Sequence, residues 1–189
     1  NPLPAVNDTY VVNNPGSNYA LEMIEANCAW SISKGSSNIL IGIADTDFEL
    51  THEDLENQIV EIDGYISNFD QHGTGVAGCA SAQTNNNKGI SGIGYNSKIS
   101  AHRVYHDASG SAFPANIKSS IMGLYNDGLS IINVSWPGTG LDPNVALQMT
   151  QNGTVLVCSA GNNNLKEYHS DIANIPGVII VSSVNSDNE

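Results

Sequence analysis

The chain has 189 residues, 40% hydrophobic and 13% charged, which suits one globular domain with a sizeable core and not a disordered or low-complexity polypeptide. Only 6 basic residues stand against 19 acidic ones, a formal net charge of −13, and such a surface repels a phosphate backbone, so nucleic acid is excluded as a partner. No apolar run reaches transmembrane length and no signal-peptide pattern is present, so no membrane partner is expected; with Asn1 in first place, the chain reads as a processed or excised segment.

Residues 1–18 are rich in Asn and Pro without periodicity and are expected to form an extended leader. A helix is predicted from Tyr19 to Lys34, with Leu21, Ile24, Cys28 and Ile32 on one stripe and Gly35 as its stop. Ile39 to Ala44 is apolar except for Gly42 and predicts a strand covered on both faces, delivering Asp45 at its carboxyl end. An acidic, polar stretch then leads to His72. There, Gly73, Gly75 and Gly78 let neighbouring backbone come close, so a tightly packed helix is predicted from His72 to about Gln83. Thr84 to Gly89 is a turn cluster.

Ile99 to Val104 predicts the next strand. Pro114 suits the first turn of a helix that buries Ile117, Ile121 and Leu124 and ends at Gly128. Ser130 to Ser135 is a further strand; Asp142 and Pro143 cap and open a helix that Gly153 stops. Thr154 to Cys158 is a second buried strand, and it leads to Ser159-Ala160-Gly161-Asn162. Strands alternating with helices of this length predict an α/β fold with a parallel β-sheet flanked by helices, without internal repeat or domain linker.

Three cysteines cannot all pair. Cys79, among small residues, and Cys158, in an apolar strand, read as small buried side chains; the state of Cys28 is left open. His52, His102, His106 and His169 read as surface or satisfied core histidines, and no metal-ligand pattern involves them.

Groups that react in open parallel sheets gather at the carboxyl ends of the strands. An Asp, a His and an Asn arriving there in this chain order, through Asp45-Thr46-Asp47, His72-Gly73-Thr74 and Ser159-Ala160-Gly161-Asn162, resemble the subtilisin-like serine proteases. His52-Glu53-Asp54-Leu55, Asn133 to Gly138, Ile175 to Val184 and the entry Tyr19 to Trp30 are similar to further segments of that family. The resemblance extends over residues 19–189 as the N-terminal portion of a subtilisin-like catalytic domain, incomplete as it stands.

The resemblance implies a secreted or extracytoplasmic endopeptidase, made as a zymogen, that acts on polypeptide substrates and needs no cofactor for its chemistry. Asp45 and His72 would be two members of a triad and Asn162 the oxyanion donor. Ser135, Trp136, Pro137 and Gly138, with Gly110, Ser111, Ala112 and Phe113, would flank an extended substrate. Two departures stand out. Pro137 replaces a usual glycine and has no amide hydrogen to give, and Trp136 beside it is expected to narrow the cleft. Asp47 replaces the glycine of the aspartate motif, which adds negative charge beside Asp45 if both face the same space. Asp54 with Asn85, Asn86 and Asn87 offers oxygen ligands for a structural calcium ion, although a plain solvated loop is the simpler expectation.

The family's nucleophile sits in a Gly-Thr-Ser motif, and no Gly-Thr-Ser occurs in these residues. Ser135, Ser159 and Ser182 belong to other motifs. The chain alone is therefore expected to be inactive, its main partner being a C-terminal segment of the same precursor that carries the serine. Two alternatives compete. One is a subtilase-derived binding module that has lost its serine; an intact set of Asp45, His72 and Asn162 speaks against it. The other starts from Ile41 to Phe48, which also resembles the haloacid-dehalogenase phosphatase motif with its magnesium-assisted aspartate nucleophile. Phe48-Glu49 departs from that motif, which also leaves His72-Gly73-Thr74 without a role.

Overall fold

The computed structural model describes residues 6–13, 19–64, 71–104, 114–162, 171–185 and 187. Six parallel strands form one sheet: β1 (Leu40–Asp45), β2 (Ile59–Asp63), β3 (Lys98–Arg103), β4 (Ile131–Val134), β5 (Val155–Ser159) and β6 (Val178–Val181). Their order is β2-β3-β1-β4-β5-β6. From β1 the chain goes to the β2 edge, returns to place β3 between the two, and from β4 builds outward on the other side. That reversal beside β1 is where such sheets open a crevice at the strands' carboxyl ends.

Helix α4 (His72–Ser81) covers one face of β1 and β3, while α5 (Pro114–Asn126) packs on β1, β3 and β4. With α5 on its face lies α6 (Pro143–Gln151). Gly42 is required on the α5 side, where a Cβ would stand 3.1 Å from both the Ile131 carbonyl and Leu124. The larger core joins Ala44, Ile132, Val134, Leu156 and Cys158 of the sheet to Ile117, Ile121 and Leu124 of α5 and to Ala146 and Met149 of α6. The smaller core, under α4, contains Ile43, Phe48, Leu55, Ala77, Ile99 and Ala101. Asp142 caps α6 by accepting from the Asn144 amide at 2.8 Å, and Gly153 beyond it has φ 94°.

Four sequence expectations are corrected. The predicted first helix is two short pieces, α2 (Tyr19–Met23) and α3 (Ala26–Ile32), broken at Glu25 with φ 52°. The break turns Ala26 and Trp30 inward against Val6; Trp30 donates to the Ile93 carbonyl at 3.0 Å and meets Tyr95 edge-on at 5.3 Å. The anticipated stripe does not form: Cys28 and Ile24 are exposed and Ile32 is 89% exposed. Burying the one large aromatic outweighs the hydrogen bonds of a continuous helix.

The leader is not extended throughout. Thr9–Asn13 forms a helical turn (α1), and Val6 and Asp8 are buried, so this segment is part of the packed structure. The polar stretch after β1 contains β2, an edge strand whose side chains are mostly exposed and whose Glu61 and Asp63 blunt the edge. Cys79 is exposed, because α4 turns Gly73, Ala77, Gly78 and Ser81 toward the sheet and Cys79 lies off that stripe. Cys158 is buried as expected, and all three cysteines are free.

One part of the sheet stays open. On the α4 side of β5 and β6, Val155, Ile179 and Val181 are 40%, 48% and 51% exposed. Their strand neighbours on the other face are drawn into the larger core.

Candidate active site

Strand β1 becomes fully buried toward its carboxyl end and places Asp45 there with no exposure at all. A carboxylate in such a position needs donors. Its Oδ1 accepts from the Thr46 amide at 2.7 Å and lies 2.6 Å from Nδ1 of His72. Because a carboxylate only accepts, Nδ1 carries the hydrogen, so in the neutral ring Nε2 is the nitrogen with a lone pair. The His72 side chain is 54% exposed, so one edge of the ring is held by Asp45 and much of the remainder is open.

The geometry is held by the packing of the first turn of α4 against residues 46–49. Gly73 donates its amide to Thr46 Oγ1 at 2.9 Å, and the Glu49 amide donates to Thr74 Oγ1 at 2.9 Å. A Cβ on Gly73 would stand 2.8 Å from the Asp47 carbonyl and 3.3 Å from the Asp45 Cβ. Only glycine lets the helix start this close to the strand end, and the closeness sets the Asp45–His72 distance.

Two other loops reach the same edge of the sheet. Ser135, Trp136, Pro137 and Gly138 follow β4, the direct neighbour of β1; Ser135 and Trp136 are half-buried, Pro137 and Gly138 exposed. Trp136 packs against the larger core. Asn162 follows β5 and is exposed. The two loops touch, since a Cβ on Gly161, which has φ 82°, would stand 3.5 Å from Pro137. Gly110, Ser111, Ala112 and Phe113 lie outside the described residues, as do His106 and His169.

The sequence reading passed over two residues of this region. Asp171 binds the amide and hydroxyl of Thr139 and, at 2.7 Å, the amide of Gly140, so it ties down the end of the Ser135–Gly138 loop. Nothing local announces it, because the partners are some thirty positions apart. Arg103 forms a buried ion pair with Asp47. The charge that Asp47 brings is compensated by Arg103, the register partner of Asp45. This pairing, with Asp45 against His72, also disfavours the phosphatase alternative, since each carboxylate already has a protein partner in place of magnesium.

Cys158 is not a substitute nucleophile. Burial first, and then the Asp171 carboxylate, push its thiol up to about 12, so it stays protonated. His102 is a core histidine, with Nε2 at 3.1 Å from Asp127. His52 Nδ1 accepts from the Asp54 amide at 3.2 Å.

The turn after α4 differs from the solvated loop expected. Asp54 is buried and accepts from Asn86 Nδ2 and the Ile90 amide, each at 2.9 Å. Asp8 from the N-terminal segment is buried beside it and accepts from the amides of Asn85 and Asn86. Among the described residues, no group of three or more His, Cys, Asp or Glu side chains could hold a metal ion.

Residues 36–189 match the subtilase family, peptidase S8. The chain belongs to this family of subtilisin-like serine proteases. It is 32% identical over 191 residues to the thermophilic serine proteinase of Bacillus sp. (strain AK1), covering 95% of this chain and 46% of that one. It is 33% identical over 196 residues to thermitase of Thermoactinomyces vulgaris, covering 95% and 68%. The prenylagaramide maturation protease PagA shares the fold with a TM-score of 0.70 at 24% identity, over 86% of this chain and 60% of that chain. The chain thus spans less than half the length of the first relative.

Proposed function

We propose that this chain supplies the acid–base half of a serine endopeptidase, with Asp45 and His72 as two triad members and the nucleophilic serine on a further segment of the same precursor. The observation that carries the proposal is the 2.6 Å contact between buried Asp45 and half-open His72 at the carboxyl edge of a parallel sheet. His72 Nε2 takes the proton of the serine hydroxyl as the oxygen attacks the peptide carbonyl, then returns it to the departing amine. Asp45 keeps the ring in the required tautomer and stabilises the imidazolium. Asn162 donates its side-chain amide to the tetrahedral oxyanion.

The substrate is an extended polypeptide lying along Ser135, Trp136, Pro137 and Gly138. Pro137 withholds one backbone hydrogen bond from it. The open α4 side of β5 and β6 supports a missing segment, because large aliphatic side chains are seldom left together in water by a finished domain. Secretion is proposed on the family resemblance. No helix among the described residues is long and apolar enough to cross a membrane.

A fluorophosphonate probe tests the assignment. It is expected to label the complete protein on a serine outside residues 1–189 and to leave the 189-residue chain untouched. Labelling within residues 1–189 refutes the division of roles. Activity is expected to rise with pH as His72 loses its proton, because only the neutral ring can accept the serine's hydrogen.

A structural calcium ion at the turn after α4 is also proposed. The oxygens of Asp54, Asn85, Asn86 and Asn87 are hard donors of the kind calcium takes, and an ion there would displace the bonds by which Asp54 now accepts from Asn86 Nδ2 and the Ile90 amide. The ion would supply no chemistry, only cross-link the segment carrying Asp54 to the turn. Thermal unfolding of the complete protein with calcium and with a chelator is the check. A lower midpoint in chelator is expected, and identical midpoints would remove the ion from the account.

A further inference from the structure

We propose that Asp47 and Arg103 act as a charge-compensated clamp that positions His72 against Asp45 and sets its proton affinity. The inference rests on the proposed roles of Asp45 and His72 and adds two residues that touch neither substrate nor nucleophile. Arg103 is the register partner of Asp45 on the neighbouring strand. Partners in a parallel pair share a face, so both side chains leave the sheet on the α4 side. The Val104 amide donates to the Asp45 carbonyl at 2.7 Å and locks the two strand ends together. Arg103 Nε pairs with Asp47 Oδ1, and the two side chains are only 8% and 2% exposed. Their charges are therefore poorly screened by solvent.

Asp47 is also a mechanical link. Its carbonyl accepts from Thr74 Oγ1 at 3.5 Å and abuts Gly73, the residue after His72. One residue thus carries charge to Arg103 and backbone support to the first turn of α4. Gly64, with φ +102°, closes on the arginine stem, where a Cβ would stand 2.9 Å from the Arg103 Cβ.

The electrostatic consequence has a sign. Asp47 alone would be a second anion near Asp45 and would favour the imidazolium. Arg103 alone would oppose it. Paired, they cancel, and His72 answers chiefly to Asp45. The other charged groups nearby are Glu49 on the segment after β1 and, on the α5 face of β3, Asp63 and Asp127 around His102. Helix α4 carries no charged residue besides His72. Asp45 Oδ2 has no hydrogen bond among the described residues, so the field of its neighbours weighs on that carboxylate.

The test follows the His72 ring protons of the complete protein by NMR titration, alongside the pH dependence of kcat and KM. Arg103→Gln is expected to raise the His72 midpoint and Asp47→Asn to lower it, each on the order of one pH unit. The double variant should return it to the parent value, and Arg103→Lys should leave it there. The acid limb of kcat should move with the midpoint while KM holds. Shifts of the same sign in both single variants, or none, overturn the proposal. If one single variant does not fold, the other and the double variant decide. If neither single variant folds, a double variant whose midpoint departs from the parent's overturns the proposal. A parent without peptidase activity whose His72 still shows the opposed shifts would refute the protease assignment and leave the clamp standing. An active parent with an unmoved His72 would do the reverse.

Discussion

His72→Ala in the complete protein is expected to lower kcat by about 10⁶ and Asp45→Ala by about 10⁴, with KM little changed. Asn162→Ala should cost about 10²–10³ in kcat. The double variant of Asp45 and His72 should be no worse than His72→Ala, because the two act through one proton transfer: without the imidazole, Asp45 has nothing to orient. The order of the effects follows from position. In the proposed mechanism His72 handles the proton itself, Asp45 acts through it from a fully buried site 2.6 Å away, and Asn162 stabilises charge from the next loop. The measurement is steady-state cleavage of a peptide substrate at a pH where His72 is neutral. His72→Ala within tenfold of the parent would remove the histidine from the mechanism, and with it the protease assignment.

Residues 1–189 expressed alone are expected to show no cooperative thermal transition, and to gain one when the complementary segment is present. Val155, Ile179 and Val181 are each about half exposed on the open face of the sheet. Fully burying such a side chain is worth about 1.5–3 kcal/mol, so finishing the three contributes about 2–4 kcal/mol. Domain stability is only about 5–15 kcal/mol in total, and a deficit of this size removes most of it at the lower end. The other face already has its cover from α5 and α6, which is why the deficit is confined to one side. Calorimetry of the chain alone and of the complete protein decides. A cooperative transition from a monomer of the 189-residue chain would show that the open face is tolerated.

Local physics is enough for much of this fold. Apolar runs mark β1, β4 and β5, and Asp142-Pro143 with Gly153 brackets α6, because burial on both faces and capping leave their trace in adjacent residues. The order of the Asp45, His72 and Asn162 motifs points to the family, and the chain belongs to it. What escaped the sequence depended on residues far apart. The break at Glu25 exists because Trp30 finds Ile93 and Tyr95 more than sixty positions on. Strand β2 is an edge strand that leaves most of its side chains in water, and its short Ile59-Val60-Glu61-Ile62 run sits within an acidic, polar stretch that masks it. Asp47 reads as an unwelcome charge beside Asp45 until β3 brings Arg103 to it. Residue type and order thus determined the strands, the caps and which groups could react. Only the tertiary structure decided which charges are compensated, which strand guards the edge and how close His72 stands to Asp45, because those depend on distances across strands that no local window contains.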